Sequence, residues 1–251
     1  MIQDIATAAV LLLLLFVSLE VGFRFGRRAR GDSELTGGGQ VGAIQGGKLG
    51  LLALLLAFSF GGAAAQFFEK QDLIVQEANA IGTAYLRADM LDEPYRTNLR
   101  SALANYVEHR VRLSQTLRHG VSPEDQLQIA QMHDRIWKAA SEGANAKPAA
   151  IIAVLPPVNE VIDFHATRVA AGRKHLPRLV VGLLIICSAM SMMDIGYGCG
   201  LSARRTALMT ATLALLIAAS LWATLDLDKP RAGLIQLDDS PLTDLAASLR
   251  R

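Results

Sequence analysis

Charged residues gather at three points of an otherwise apolar chain: Glu69, Asp72 and Glu77; Arg168, Arg173, Lys174 and Arg178; and Asp226, Asp228, Lys229 and Arg231. Carboxylates and guanidiniums brought together at the edge of a membrane have two uses. They form ion pairs that fix helices at the interface or, repeated around an oligomer, they make a charged vestibule that selects ions. Arginine suits pairing because its planar fork holds a carboxylate by two bonds where lysine offers a point charge. The candidate site residues are therefore Glu77, Asn79, Arg168, Arg173, Arg178, Asp226 and Asp228. Asp226 or Asp228 is expected to pair with Arg168, Arg173 or Arg178. Asn79 borders the apolar face of its helix and is expected to bond across helices.

Other chemistry has weaker support. No Walker loop, Gly-x-Ser-x-Gly or His-Glu-x-x-His stands in the chain, so an enzyme is not expected. None of the histidines (His109, His119, His133, His165, His175) lies three or four positions from another, so no single helix closes a metal site, and neither metal nor cofactor is expected. His165 falls on an apolar repeat and reads as a hydrogen-bonded core residue; His175, among Arg173, Lys174 and Arg178, reads as part of a headgroup-level cluster. Cys187 and Cys199, twelve positions apart, would stand about 18 Å from each other on one helix and cannot bridge there. The glycines from Gly37 to Gly50 follow no strand, so they predict a flexible loop leading into close helix contact, with Gly46 and Gly50 as a small-residue pair. Ala207, Ala211, Ala214 and Ala218 offer a similar face.

These residues must be held by elements that live in a bilayer. Of 251 residues, 51% are hydrophobic and 19% charged, with mean hydropathy +0.30. A net charge of +2 leaves no cationic field for nucleic acid, and the lipid bilayer is the expected partner. Four apolar runs, 5–23, 49–68, 179–197 and 206–225, are each long enough to cross about 30 Å of hydrocarbon as a helix. The first is expected to be an uncleaved span, since no basic residue precedes it and no small-residue cleavage site follows its apolar core before Arg24.

The fold class expected is all-α: two transmembrane hairpins flanking a helical extramembrane domain. The boundaries are 1–68 for the first hairpin, 69–177 for the domain, 178–226 for the second hairpin and 227–251 for a tail. An even span number puts both termini and the domain on one side. Arg24, Arg27, Arg28, Arg30 and Lys48 in one short loop, with Arg204 and Arg205 in the other, predict that those loops are cytoplasmic and that 69–177 and both termini are outside, in a bacterial inner membrane.

Within the domain, Ile74, Ala78, Ile81, Tyr85 and Ala88 step by four and three, as do Ile151, Leu155, Val158, Ile162, His165, Val169, Gly172 and Leu176. The first of these helices is expected to continue from the second span without a break. Two more are expected over 94–119 and 123–141, the latter opened by Ser122 as N-cap, Pro123 and the capping acid Asp125. Pro156 and Pro157 predict a kink or restart near Leu155.

Three segments carry a family resemblance: Gln76-Glu77-Ala78-Asn79-Ala80-Ile81-Gly82-Thr83-Ala84-Tyr85-Leu86, Tyr106-Val107, and Leu227-Asp228-Lys229-Pro230-Arg231-Ala232-Gly233. With the two-plus-two span layout, the chain from about Phe16 to Leu242 resembles the bestrophin-like family of bacterial and plant membrane proteins. By analogy with true bestrophins, the resemblance implies a homo-oligomeric ion channel, pentameric in that analogy, with inorganic ions as cargo. It also implies a cytoplasmic domain between spans two and three, opposite to the side the loop arginines predict. The competing function is a membrane-anchored sensor or scaffold whose helical domain binds a protein.

Overall fold

The computed structural model describes residues 2–29, 38–116 and 122–250. Arg30, Thr36, Gly37 and His119 lie outside these residues. The described chain is helical, with no strand: α1 (Ile2–Ala29), α2 (Gly38–Arg87), α3 (Tyr95–Thr116), α4 (Pro123–Ala146), α5 (Ile151–Gly172), α6 (Arg178–Leu201), α7 (Ala207–Asp228) and α8 (Ser240–Leu249). It divides into two compact units, Met1–Ala65 with His175–Ile235, and Gln66–Lys174 with Gln236–Arg251. The helix α2 is unbroken, as the absence of a proline after the second apolar run predicts, and supplies residues to both.

In the first unit α1, the first part of α2, α6 and α7 enclose Leu11, Leu15, Leu52, Leu184, Met192, Ala214 and Ile217. The closest approach is between α1 and α6, and it is made by glycine. A Cβ on Gly22 would stand 1.9 Å from the Met193 carbonyl oxygen, one on Gly26 2.1 Å from that of Tyr197, and one on Gly196 2.0 Å from that of Leu19. Gly22 and Gly26, four apart, thus face Gly196 and Gly200, also four apart, and the two backbones touch. The glycines from Gly38 to Gly50 open α2 and do not form the expected loop, and the expected contact at Gly46 and Gly50 differs: a Cβ at either would meet nothing of the described residues within 4 Å. Ala214 and Ala218 are buried as packing residues.

In the second unit the repeat Ile74, Ala78 and Ile81 is buried together with Leu99, Leu103, Tyr106, Ile129, Ile136, Val154, Val158 and Val161. Ser122 and Asp125 form the expected reciprocal capping box, with Asp125 N–H donating to Ser122 Oγ at 3.0 Å and Ser122 N–H to Asp125 Oδ2 at 3.2 Å. Pro156 and Pro157 do not stop α5. They fall in its second turn, where Pro157 deprives the Ala153 carbonyl of its donor; Arg87 Nη1 donates to that oxygen instead, at 3.2 Å. The C-terminal residues do not stand alone as a tail. Leu242 is fully buried in this core, Gln71 and Asp238 exchange two hydrogen bonds, and Arg250 pairs with Glu108.

Five described helices are long and apolar enough to cross a membrane, α1, α2, α5, α6 and α7. Four contain the runs read from sequence; α5 joins them because its helix buries valines on one side and carries Ile151, Ile152 and Leu155 besides.

Candidate functional site

The second unit encloses a buried polar cluster to which each of its four longest helices contributes. It is built around Glu77. That residue follows Ile74 by three positions and precedes Ile81 by four, so it shares their buried face, and its side chain is fully buried. A lone carboxylate there would be costly. Four donors offset the cost: Arg110 Nε at 3.1 Å on Oε1 and Nη2 at 3.4 Å on Oε2, the Tyr106 hydroxyl at 3.0 Å on Oε1, and Arg168 Nη1 on Oε2. Tyr106 and Arg110 are one turn apart on α3 and reach the same carboxylate for that reason.

Two histidines extend the cluster. His133 of α4 stands with its ring centroid 5.1 Å from that of Tyr106, and His165 of α5 stands edge-on 5.0 Å from His133. Among the described residues His133 Nε2 and His165 Nδ1 are buried without a hydrogen-bond partner, which departs from the hydrogen-bonded core histidine that the repeat suggests at His165. Burial, reinforced by the Arg110 charge and opposed by Asp134, lowers the His133 pKa to about 4. Burial raises Tyr106 to about 12 against the influence of Arg110. At neutral pH the cluster therefore joins the Glu77 carboxyl group to two guanidiniums beside a neutral phenol and two neutral imidazoles. Its chemistry is electrostatic: it joins α2, α3 and α5 through one carboxylate.

The acids that end α7 are buried in the first unit and take partners close at hand. Asp226 accepts the N–H of Leu234 at 3.0 Å and of Ile235 at 2.8 Å. Gly233 permits this, since a Cβ there would stand 2.3 Å from Asp226 Oδ1. Asp228 accepts the Leu176 N–H at 2.7 Å, and its Oδ2 lies 3.3 Å from His175 Nδ1. The acids thus fold the chain leaving α7 and hold the chain entering α6. The arginines named as their partners lie elsewhere: Arg168 on Glu77, Arg173 exposed at the end of α5, Arg178 exposed at the start of α6. Asn79 is exposed, and the interhelical bonds expected of it are made by Glu77.

The charge pattern of the sequence singles out Glu77 and Arg168 but not Arg110 or His133. The i, i+4 pair Tyr106 and Arg110 is the one local signal for Arg110; the histidines meet only through tertiary packing, thirty-two positions apart in the chain.

A family model for the Bestrophin-like domain matches residues 9–242. No curated protein and no solved structure matches the chain.

Proposed function

The chain belongs to the bestrophin-like family, and from that membership we propose that it is one subunit of a homo-oligomeric ion channel in the lipid bilayer, a transport protein and not an enzyme. A single chain with this few spans encloses no pore, so the walls must come from further copies, for which closed symmetry is the usual arrangement. The observation that carries the reading is open small-residue surface along α2. At Gly42, Gly46, Gly47, Gly50, Gly61 and Gly62 a Cβ would meet nothing of the described residues within 4 Å, which leaves small-residue surface for another helix to approach.

In this proposal α1, the apolar part of α2, α6 and α7 span the membrane, and α5 stays in the helical domain. Its Asn159, Glu160, Asp163 and His165 and its contact between Arg168 and Glu77 support that placement. Residues 69–177 and both termini lie outside the cytoplasm, supported by the arginines of the short loops and by the packing of α8 in the same unit as α3. Reporter fusions at Thr36 and Gly120 test the orientation: cytoplasmic activity at Thr36 is expected, and cytoplasmic activity at Gly120 reverses it.

The mass of the assembly in nanodiscs tests the channel. A ring of four or more chains that conducts ions in a planar bilayer is the expected result. A monomer refutes the channel and leaves the membrane-anchored scaffold as the better reading.

A further inference from the structure

Near the arginine-bearing end of the first unit, α1 and α7 leave a cleft of about 400 Å³ against α6. Its wall is largely apolar, with Phe16 and Leu19 from α1 and Ala211 from α7. Its mouth is charged. Glu20 holds Arg24 Nε at 3.0 Å and Arg205 Nη1 at 3.3 Å, and the Arg205 guanidinium lies 4.2 Å from the centroid of the Phe23 ring. One carboxylate is thus shared by two guanidiniums, and the arginine side chains keep 71% and 60% of their surface exposed, with donors to spare.

The depth of the mouth follows from the sequence. Helix α1 carries no charge from Ile5 to Leu19 and is charged from Glu20 onward, and α7 carries none from Ala207 to Leu225 and is preceded by Arg204 and Arg205. Both helices turn from apolar to cationic at this mouth, where hydrocarbon gives way to headgroups. Leu208 and Met209, 82% and 76% exposed, flank it with surface suited to acyl chains.

We propose that this cleft binds an anionic phospholipid, one acyl chain lying along Phe16, Leu19 and Ala211 and the phosphate received by Arg205 and Arg24. An apolar wall under a net cationic mouth matches that amphiphile on both counts: a zwitterionic lipid satisfies the wall but carries a compensating cation to the mouth.

Native mass spectrometry of the full chain, incubated in detergent with phosphatidylglycerol or with phosphatidylcholine of the same acyl chains, tests the site. Phosphatidylglycerol should be retained in preference by about five-fold, the weight of one arginine at an anionic surface. Arg205→Gln should abolish the preference, whereas Arg28→Gln, at the C-terminal end of α1 and outside the cleft, should leave it. Ala211→Phe should lower retention of both lipids by filling the wall; if that variant does not fold, Ala211→Leu replaces it. Equal retention of the two lipids by the unaltered chain overturns the proposal, as does an Arg28→Gln loss as large as that of Arg205→Gln, which marks a diffuse field. Undiminished retention by the filled variant also overturns it.

Discussion

The Arg110 guanidinium lies alongside the Glu77 carboxylate, Nε on Oε1 at 3.1 Å and Nη2 on Oε2 at 3.4 Å, with the two side chains 7% and 0% exposed. Such a pair stabilises little relative to an apolar core, yet breaking it leaves a buried charge without its counter-charge. Glu77→Gln keeps the shape, removes the charge and strands Arg110 beside Arg168. It is expected to destabilise the helical unit by about 3 to 5 kcal/mol, read as a lowered thermal midpoint in detergent. Asn79→Ala, two positions away and exposed, should stay within about 0.5 kcal/mol. Equal effects from the two would mean that the Glu77 cluster is not a structural centre.

Acid should weaken the same unit through His133. Tyr106 and Arg110 face this ring from α3 and His165 faces it from α5, with Glu77 of α2 bonded to Tyr106 and Arg110, while Asp134 on its own helix favours its proton. The folded pKa is about 4 against an ordinary 6.5, so between those values the unfolded chain holds the extra proton. The stability contributed by the neutral ring is complete above pH 6.5 and is lost as pH falls toward 4, at about 1 kcal/mol per pH unit. His133→Phe keeps the ring and removes the titration. Its melting profile against pH should be flatter than that of the unaltered chain over this window, and parallel profiles would refute the assignment.

What could be read before folding was periodic or local. The apolar runs, the capping box at Ser122 and Asp125 and the unbroken α2 each depend on residues within a few turns of one another, and each is present. The placing of Glu77 was legible in principle, since positions 74, 77, 78 and 81 share one helical face; a charged residue on an apolar face is read as its edge until a partner is known. That partner was hidden because Arg110 and Arg168 lie 33 and 91 positions away. The same limit explains the glycines. Spacing by four marks Gly46 and Gly50 as well as Gly22 and Gly26, and only the fold decides that α6 lies on the latter pair.

Those glycines should respond in opposite directions. Gly196→Ala places a methyl group 2.0 Å from the Leu19 carbonyl oxygen, a distance that backbone cannot relieve without separating α1 from α6. A loss of about 1 to 3 kcal/mol is expected, as for overpacking in a close-packed core. Gly46→Ala meets nothing of the described residues within 4 Å and should raise the stability of the single chain by up to about 1 kcal/mol, while it loosens the contact between copies proposed at this surface. Thermal melting of the two single variants decides it, and a neutral Gly196→Ala would show that α1 and α6 do not touch through their backbones.

Asp226 and Asp228 should prove separable by the partners they hold. Asp226→Ala removes the acceptor for two N–H groups, those of Leu234 and Ile235, and is expected to cost about 1 to 3 kcal/mol for each donor left unsatisfied. Asp228 is engaged with the Leu176 N–H and with His175, so Asp228→Asn and His175→Gln should be coupled, the double change costing less than the two added, by about 0.5 to 3 kcal/mol. Asp228→Asn with Arg178→Gln should add without coupling, because Arg178 stands exposed at the start of α6. A selective role makes another forecast for the same variant: altered cation-to-anion permeability in reconstituted bilayers with melting unchanged. Coupling to His175 with unaltered permeability assigns Asp228 to holding the chain that enters α6 against the C-terminal end of α7. Coupling to Arg178 instead would restore the interfacial ion pair expected from the charge pattern, and altered permeability at constant stability would place the acid on the ion path.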